Sequence, residues 1–119
     1  MLTFLEELTP YARKLFLRKV HLNEVTSFSI NAAGGKAIVL TNRYLYLIYK
    51  GFLKGSCHKL SPGELLKAEV KARCLIVATR ARSYQVELPP DKTVMLPEIA
   101  RRINRWLLDK NEKLKSLNS

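Results

Sequence analysis

Chemistry-bearing residues are scarce in this chain of 119 residues. Cys57 and Cys74 are its only cysteines, and they form no Cys-x-x-Cys pair. Two cysteines in a chain of this size read as free, buried small hydrophobes, with a disulfide between them left open. His21 and His58 have no cysteine or histidine neighbour at metal-ligand spacing. Ala32-Ala33-Gly34-Gly35-Lys36 lacks the spacing of a phosphate-binding loop, and no Gly-x-Ser-x-Gly elbow occurs. The carboxylates are few and scattered, so no acid/base pair can be nominated. The expectation is a non-enzyme without metal or cofactor, although a small basic nuclease or ribosome-dependent toxin stays open. There is no secretory leader and no apolar run of the ~20 residues that span a bilayer, which predicts a soluble, cytoplasmic protein.

What is abundant is positive charge. Twenty-one Lys and Arg face ten Asp and Glu, a net charge of +11. Such a field draws polyanions: nucleic acid, an anionic membrane, or an acidic protein. It exceeds the roughly 2–8 that keeps a small domain soluble, although a surface charged for solubility is the plain alternative. Hydrophobic residues at 47% and charged residues at 26% are ordinary for a globular protein. The length suits one domain, burying roughly two-thirds of the surface of its unfolded chain.

The most apolar stretch, residues 36–50, predicts a central β-hairpin divided at Thr41-Asn42. Its second run places Leu45, Leu47 and Tyr49 on one face and Tyr44, Tyr46 and Ile48 on the other, as in a strand covered on both sides. Before it, Thr9-Pro10 is a helix start, with Thr9 as N-cap and Pro10 at the first helical position. That helix is expected to reach about Val20, with a basic outside. Residues 2–8 read as an extra helical turn or as an arm that packs on another subunit. A first strand is expected over 24–31, with Thr26, Phe28 and Ile30 on one face. Others follow at 56–60, 65–70 (Leu66, Ala68 and Val70 inward), 73–79 and 84–88. Ser61-Pro62-Gly63-Glu64 is a turn or, as a capping box, a short helix. Pro89-Pro90 ends the sheet. Leu96, Ile99, Ala100, Ile103, Trp106 and Leu107 then form the stripe of an amphipathic helix that starts at Pro97. The division is an N-terminal helical extension (1–21), a core (22–114) and a frayed tail (115–119), within one domain.

This order, seven strands and a capping C-terminal helix, resembles the pleckstrin-homology (PH) superfold. The run Ile38-Val39-Leu40-Thr41-Asn42-Arg43-Tyr44-Leu45-Tyr46-Leu47 is similar to small bacterial and archaeal PH-like and GRAM-type domains. Those often carry leucine-threonine-(aspartate or asparagine)-arginine-any-leucine at this hairpin. The resemblance spans roughly residues 22–110 in topology and residues 38–47 in motif, and the N-terminal helix is an addition to the PH plan. It implies a mainly β (α+β) fold: a seven-strand antiparallel barrel or sandwich with an N-terminal helix and a C-terminal capping helix.

In that fold the turns between strands 1–2, 3–4 and 6–7 gather at one open end. Here they carry Lys36, then Lys50 and Lys54, then Arg80 and Arg82, while Arg43 and Lys71 fall at the opposite end. Phosphoinositide-binding members hold the head group with basic side chains of those turns, because a phosphate needs several convergent donors and Arg offers a bidentate fork. This chain departs from them in having no Lys or Arg in strand one, and bacteria-like PH domains mostly serve protein contacts or oligomerisation. Phe52 and Leu53, between Lys50 and Lys54, are expected to form an apolar tip suited to a membrane interface or a protein. The expected function is therefore a binding module for an anionic membrane surface or a protein partner, with homo-oligomer formation open. The alternative is nucleic-acid binding through Arg101, Arg102 and Arg105 of the last helix and Arg13, Lys14, Arg18 and Lys19 of the first.

Overall fold

The β-branched and aromatic run at 36–50 forms the middle of a four-stranded sheet. In order, the elements are α1 (Pro10–Leu17), β1 (Thr26–Asn31), β2 (Ala37–Thr41), β3 (Leu45–Tyr49), β4 (Ser56–Leu60), β5 (Leu65–Lys71), β6 (Cys74–Thr79), β7 (Ser83–Glu87) and α2 (Leu96–Asn118). Short 3-10 turns lie at Ala33–Gly35 and Pro90–Met95. The computed structural model describes residues 3–51 and 54–118, with the backbone alone for 114–118. The chain is mainly β and divides into two compact units, residues 1–60 and 61–119.

The first unit is an antiparallel meander in the order β1-β2-β3-β4. Ala37 pairs with Ile48 and Val39 with Tyr46, so these four side chains share one face. With Ala12 of α1 they form a buried cluster, packed by Leu15, Phe16, Val20 and Tyr44. Phe16 meets Tyr46 edge to face, with ring centroids 5.0 Å apart. The other face, with Phe28, Ile30, Ile38, Leu40, Leu45 and Leu47, is buried as well. The double-sided apolar pattern of β3 thus becomes a strand covered on both faces.

Helix α1 can lie this close because of Gly55. A β-carbon there would come within 2.5 Å of the Tyr11 hydroxyl and 2.7 Å of the Tyr49 carbonyl oxygen. The Thr9 side chain caps the helix by accepting from the Ala12 N–H. It ends at Leu17, short of Val20, where the Lys19 and Val20 N–H groups both turn back to the Phe16 carbonyl.

Residues 3–8 are an extended strap, where the sequence suggests a helical turn or an intersubunit arm. The Ser29 N–H donates to the Phe4 carbonyl and the Glu6 N–H to the Ser29 carbonyl, both at 2.8 Å. The strap covers the β1 edge that would otherwise be bare. Glu6 Oε1 accepts from the Asn31 N–H, and the Asn31 side-chain amide donates to the Glu7 carbonyl, which fastens the strap at its far end.

The second unit is a three-stranded antiparallel sheet, β5-β6-β7, with α2 packed mainly on β5. Leu96, Ile99, Ala100, Ile103 and Leu107 are buried, and Trp106 is half-buried. The helix begins at Leu96, one residue before Pro97, and continues through Asn118, past the expected end at 114, because Asn-Glu-Lys-Leu-Lys holds no helix breaker. Residues 61–64 form a turn in which the Glu64 N–H donates to the Ser61 carbonyl.

Two β-bulges change which side chains face inward. One lies between Thr26 and Phe28, so Thr26 is exposed while Phe28 and Ile30 are buried. The other lies between Leu65 and Lys67, so Leu65 and Ala68 are buried while Leu66 is exposed, against the expected alternation. Val70 shares the face of Ala68 but, near the end of the strand, is left 39% exposed. Strand pairing yields two separate ladders and no closed barrel.

Candidate anion-binding surface

The cations of the first unit outnumber its acids nine to three. Arg13, Lys14, Arg18 and Lys19 of α1 and the turn after it are exposed. Among the described residues none of the four has an acidic partner. The helix is amphipathic because Ala12, Leu15 and Phe16 recur at three- and four-residue spacing, and docking that stripe turns the cations to water. Two of the unit's three acids, Glu6 and Glu24, are held in hydrogen bonds to the unit itself. Glu7 is exposed and, with Leu8, Arg13, Phe16, Leu17 and Val39, lines a groove of about 330 Å³.

The turn cations fall into two sets, one per unit. Lys36 Nζ lies 5.4 Å from the Tyr49 ring centre and Lys50 Nζ lies 5.7 Å from that of Tyr11. Gly35, at φ +77°, sits directly against the Lys50 side chain, which brings the two lysines to one end of the sheet. Lys54 is exposed in the same turn as Lys50. The expected Phe52–Leu53 tip lies outside the described residues. Arg80 and Arg82 lie in the β6–β7 turn of the second unit. There Arg80 Nε donates to the Gly63 carbonyl at 3.1 Å, and the Thr79 hydroxyl accepts from the Arg82 N–H at 3.0 Å. That hydroxyl also donates to the Arg82 carbonyl, so the turn is closed by its own side chain.

The arginines of α2 differ from those of α1. Glu98 accepts from Arg101 Nε at 2.8 Å and from Arg102 Nε at 3.3 Å, and Arg101 makes a second bond through Nη2. Hydrogen bonding from Arg101 is the largest influence on the Glu98 carboxyl and, with Arg102 adding to it, carries it down to about 2. Of the expected α2 set only Arg105 is left without an acidic partner among the described residues.

Three structural residues were not singled out from the sequence. Glu24 accepts from the His21 N–H (2.8 Å), the Thr41 hydroxyl (2.6 Å) and the Tyr46 hydroxyl (2.8 Å). Burial pushes its carboxyl up, but these bonds and the charge of Lys59 outweigh it and hold the group below its ordinary value. The signal was present in the chain, since Glu24 is the sole acid between Glu7 and Glu64. Lys59 stretches its ammonium over the Tyr44 ring, 4.2 Å from the centre, and donates to the Lys19 carbonyl at 3.1 Å. Asn104 accepts from the Ala68 N–H and donates to the Ala68 carbonyl, at 2.8 and 2.7 Å.

No protein-family model, curated protein or solved structure matches this chain. The surface has to be read from its own chemistry. Burial pushes the Cys57 thiol up to about 11, which keeps it a protonated, weak nucleophile at neutral pH. Among the described residues no group of three or more His, Cys, Asp or Glu side chains comes together, and no helix is long and apolar enough to cross a membrane. What the arrangement offers is a set of exposed ammonium and guanidinium groups on a short docked helix, suited to a surface carrying many negative charges.

Proposed function

We propose that the chain is a PH-like, non-enzymatic binding module that docks on an anionic membrane surface through the cations of its first unit. The observation that carries this reading is a contrast between two helices. Arg13, Lys14, Arg18 and Lys19 of the α1 segment have no acidic partner among the described residues, whereas Glu98 neutralises Arg101 and Arg102 on α2. A lipid surface needs clustered charge and no fixed geometry, each cation near it contributing about 1 kcal/mol. The order of seven strands and a C-terminal helix supports the PH-like assignment. The same contrast takes Arg101 and Arg102 from the nucleic-acid reading, because they already hold a carboxylate. The α1 cations that reading also invokes are shared with membrane docking, so the vesicle and oligonucleotide tests separate the two.

The test is co-sedimentation of the full chain with phosphatidylserine–phosphatidylcholine vesicles against phosphatidylcholine alone. Binding to the anionic vesicles alone is expected. Replacing Arg13, Lys14, Arg18 and Lys19 together by Gln should abolish it, and replacing Arg101, Arg102 and Arg105 by Gln should leave it nearly unchanged. The reading is lost if the α2 variant is the one that fails, or if the wild type ignores anionic vesicles at low salt.

A further inference from the structure

The link between α1 and β1 holds two apolar side chains out in water. Leu22 is fully exposed and Val25 is 67% exposed. Such exposure in a loose loop would mean little, but this turn is fastened from several directions. The Glu24 N–H donates to the His21 carbonyl at 3.1 Å, and the Glu24 carboxylate takes the His21 N–H at 2.8 Å. The same carboxylate is anchored below by the hydroxyls of Thr41 and the buried Tyr46. The Val25 N–H donates to Asn42 Oδ1 at 2.8 Å and the Asn42 N–H to the Val25 carbonyl at 2.9 Å, which ties the link to the β2–β3 turn. Leu22 thus stands on a braced projection.

The surroundings of that projection are cationic. Arg18 and Lys19 precede it, Arg43 lies in the β2–β3 turn tied to Val25, and Lys59 reaches the Lys19 carbonyl. The acid of the link itself, Glu24, is turned inward to its hydrogen-bond donors.

We infer that the turn 21–25 is an insertion tip for an anionic bilayer, with Leu22 and Val25 entering the interface and Arg18, Lys19 and Arg43 meeting lipid phosphates and carboxylates. This deepens the docking reading above and rests on it. Charge complementarity selects an anionic occupant. The shape selects a bilayer, because two side chains on a convex turn bury far less than the roughly 1,200–2,000 Å² of a stable protein interface. A fluid interface needs no complementary pocket and accepts an isolated leucine flanked by cations.

The test uses the full chain with Leu22→Ser, Leu22→Trp and the triple variant Arg18→Glu, Lys19→Glu, Arg43→Glu. Leu22 has no packing to lose, so folding is unaffected by its replacement. On phosphatidylserine–phosphatidylcholine vesicles Leu22→Ser is expected to bind on the order of tenfold more weakly, with its salt dependence unchanged, and the triple variant to lose the salt-dependent part. In Leu22→Trp the emission beyond that of native Trp106 should move to the blue on these vesicles and stay in place on phosphatidylcholine alone. If the wild type binds anionic vesicles but Leu22→Ser binds equally well and the added indole does not shift, the tip is refuted while electrostatic docking stands. If the wild type binds no anionic vesicle, both fall together. A Leu22-dependent dimer in sedimentation equilibrium, without vesicle binding, would make a second copy the occupant and overturn the lipid assignment.

Discussion

At the scale of single residues, Glu24 carries the most consequence. One carboxylate joins the α1–β1 link, the end of β2 and the buried hydroxyl of Tyr46. A group whose carboxyl is lowered on folding contributes stability that is present above its unfolded value, here 4.5, and lost as the pH falls through that value towards the lower folded one. Tyr46→Phe removes one donor to this charge, which should cost about 1.5–3 kcal/mol at neutral pH. It also narrows the gap between folded and unfolded values, so less stability remains to be lost on acidification. Urea unfolding of both proteins at neutral pH and near pH 3 checks this: the difference between them should shrink in acid. Glu98, also held low, is common to both proteins and cancels in the comparison. An unchanged difference at the two pH values would mean that the hydroxyl matters only through packing.

At the scale of elements, the apolar stripe of α2 is visible as a period in the chain, and so are Thr9-Pro10 at the start of α1 and the hairpin at 36–50. What holds α2 to its strand is less visible. Asn104 looks like one more polar residue on the outer face, yet its amide closes both backbone groups of Ala68, next to the β5 bulge where the ladder is irregular. Asn104→Ala should cost about 1–3 kcal/mol, since it leaves a backbone donor and acceptor without their partner. Amide exchange at Ala68 should quicken more than at the paired Val77 on β6. Equal acceleration at both would show general loosening of the unit in place of a lost clip. The β5 bulge has a second lesson. A strict two-residue alternation put Leu66 inward with Ala68, and one extra residue in the ladder sent Leu66 to the surface and buried Leu65 in its stead.

At the scale of the whole molecule, the charge of +11 is an attraction without a specified partner. Exposed charges act over a Debye length of about 10 Å at 0.1 M salt, so diffuse binding should be easily screened. The prediction for nucleic acid is accordingly a weak one. Anisotropy of a labelled mixed-sequence oligonucleotide should show binding at low salt that disappears by about 150 mM. Tight binding at that salt, with a log–log slope reporting several neutralised phosphates, would transfer the function to nucleic acid and set membrane docking aside. The distribution matters as much as the total: residues 1–60 hold nine cations against three acids, and residues 61–119 hold twelve against seven.

The sequence by itself determined the strand and helix positions to within a few residues, the apolar stripes, the basic balance and the lack of any catalytic motif. These are local properties: side-chain period follows from backbone geometry, and net charge is additive. The pairing of Glu98 with Arg101 and Arg102 is local too, since it follows from three- and four-residue spacing on one helix. The tertiary structure decided that Glu6 and Glu24 go to hydrogen bonds within the first unit and leave the α1 cations without them. It decided that residues 3–8 become a strap on β1, because an edge strand offered them backbone partners. And it decided that Leu22 points into water, because Thr41, Asn42 and Tyr46 fix the turn from outside its own sequence, through Glu24 and Val25, where no local period could place it.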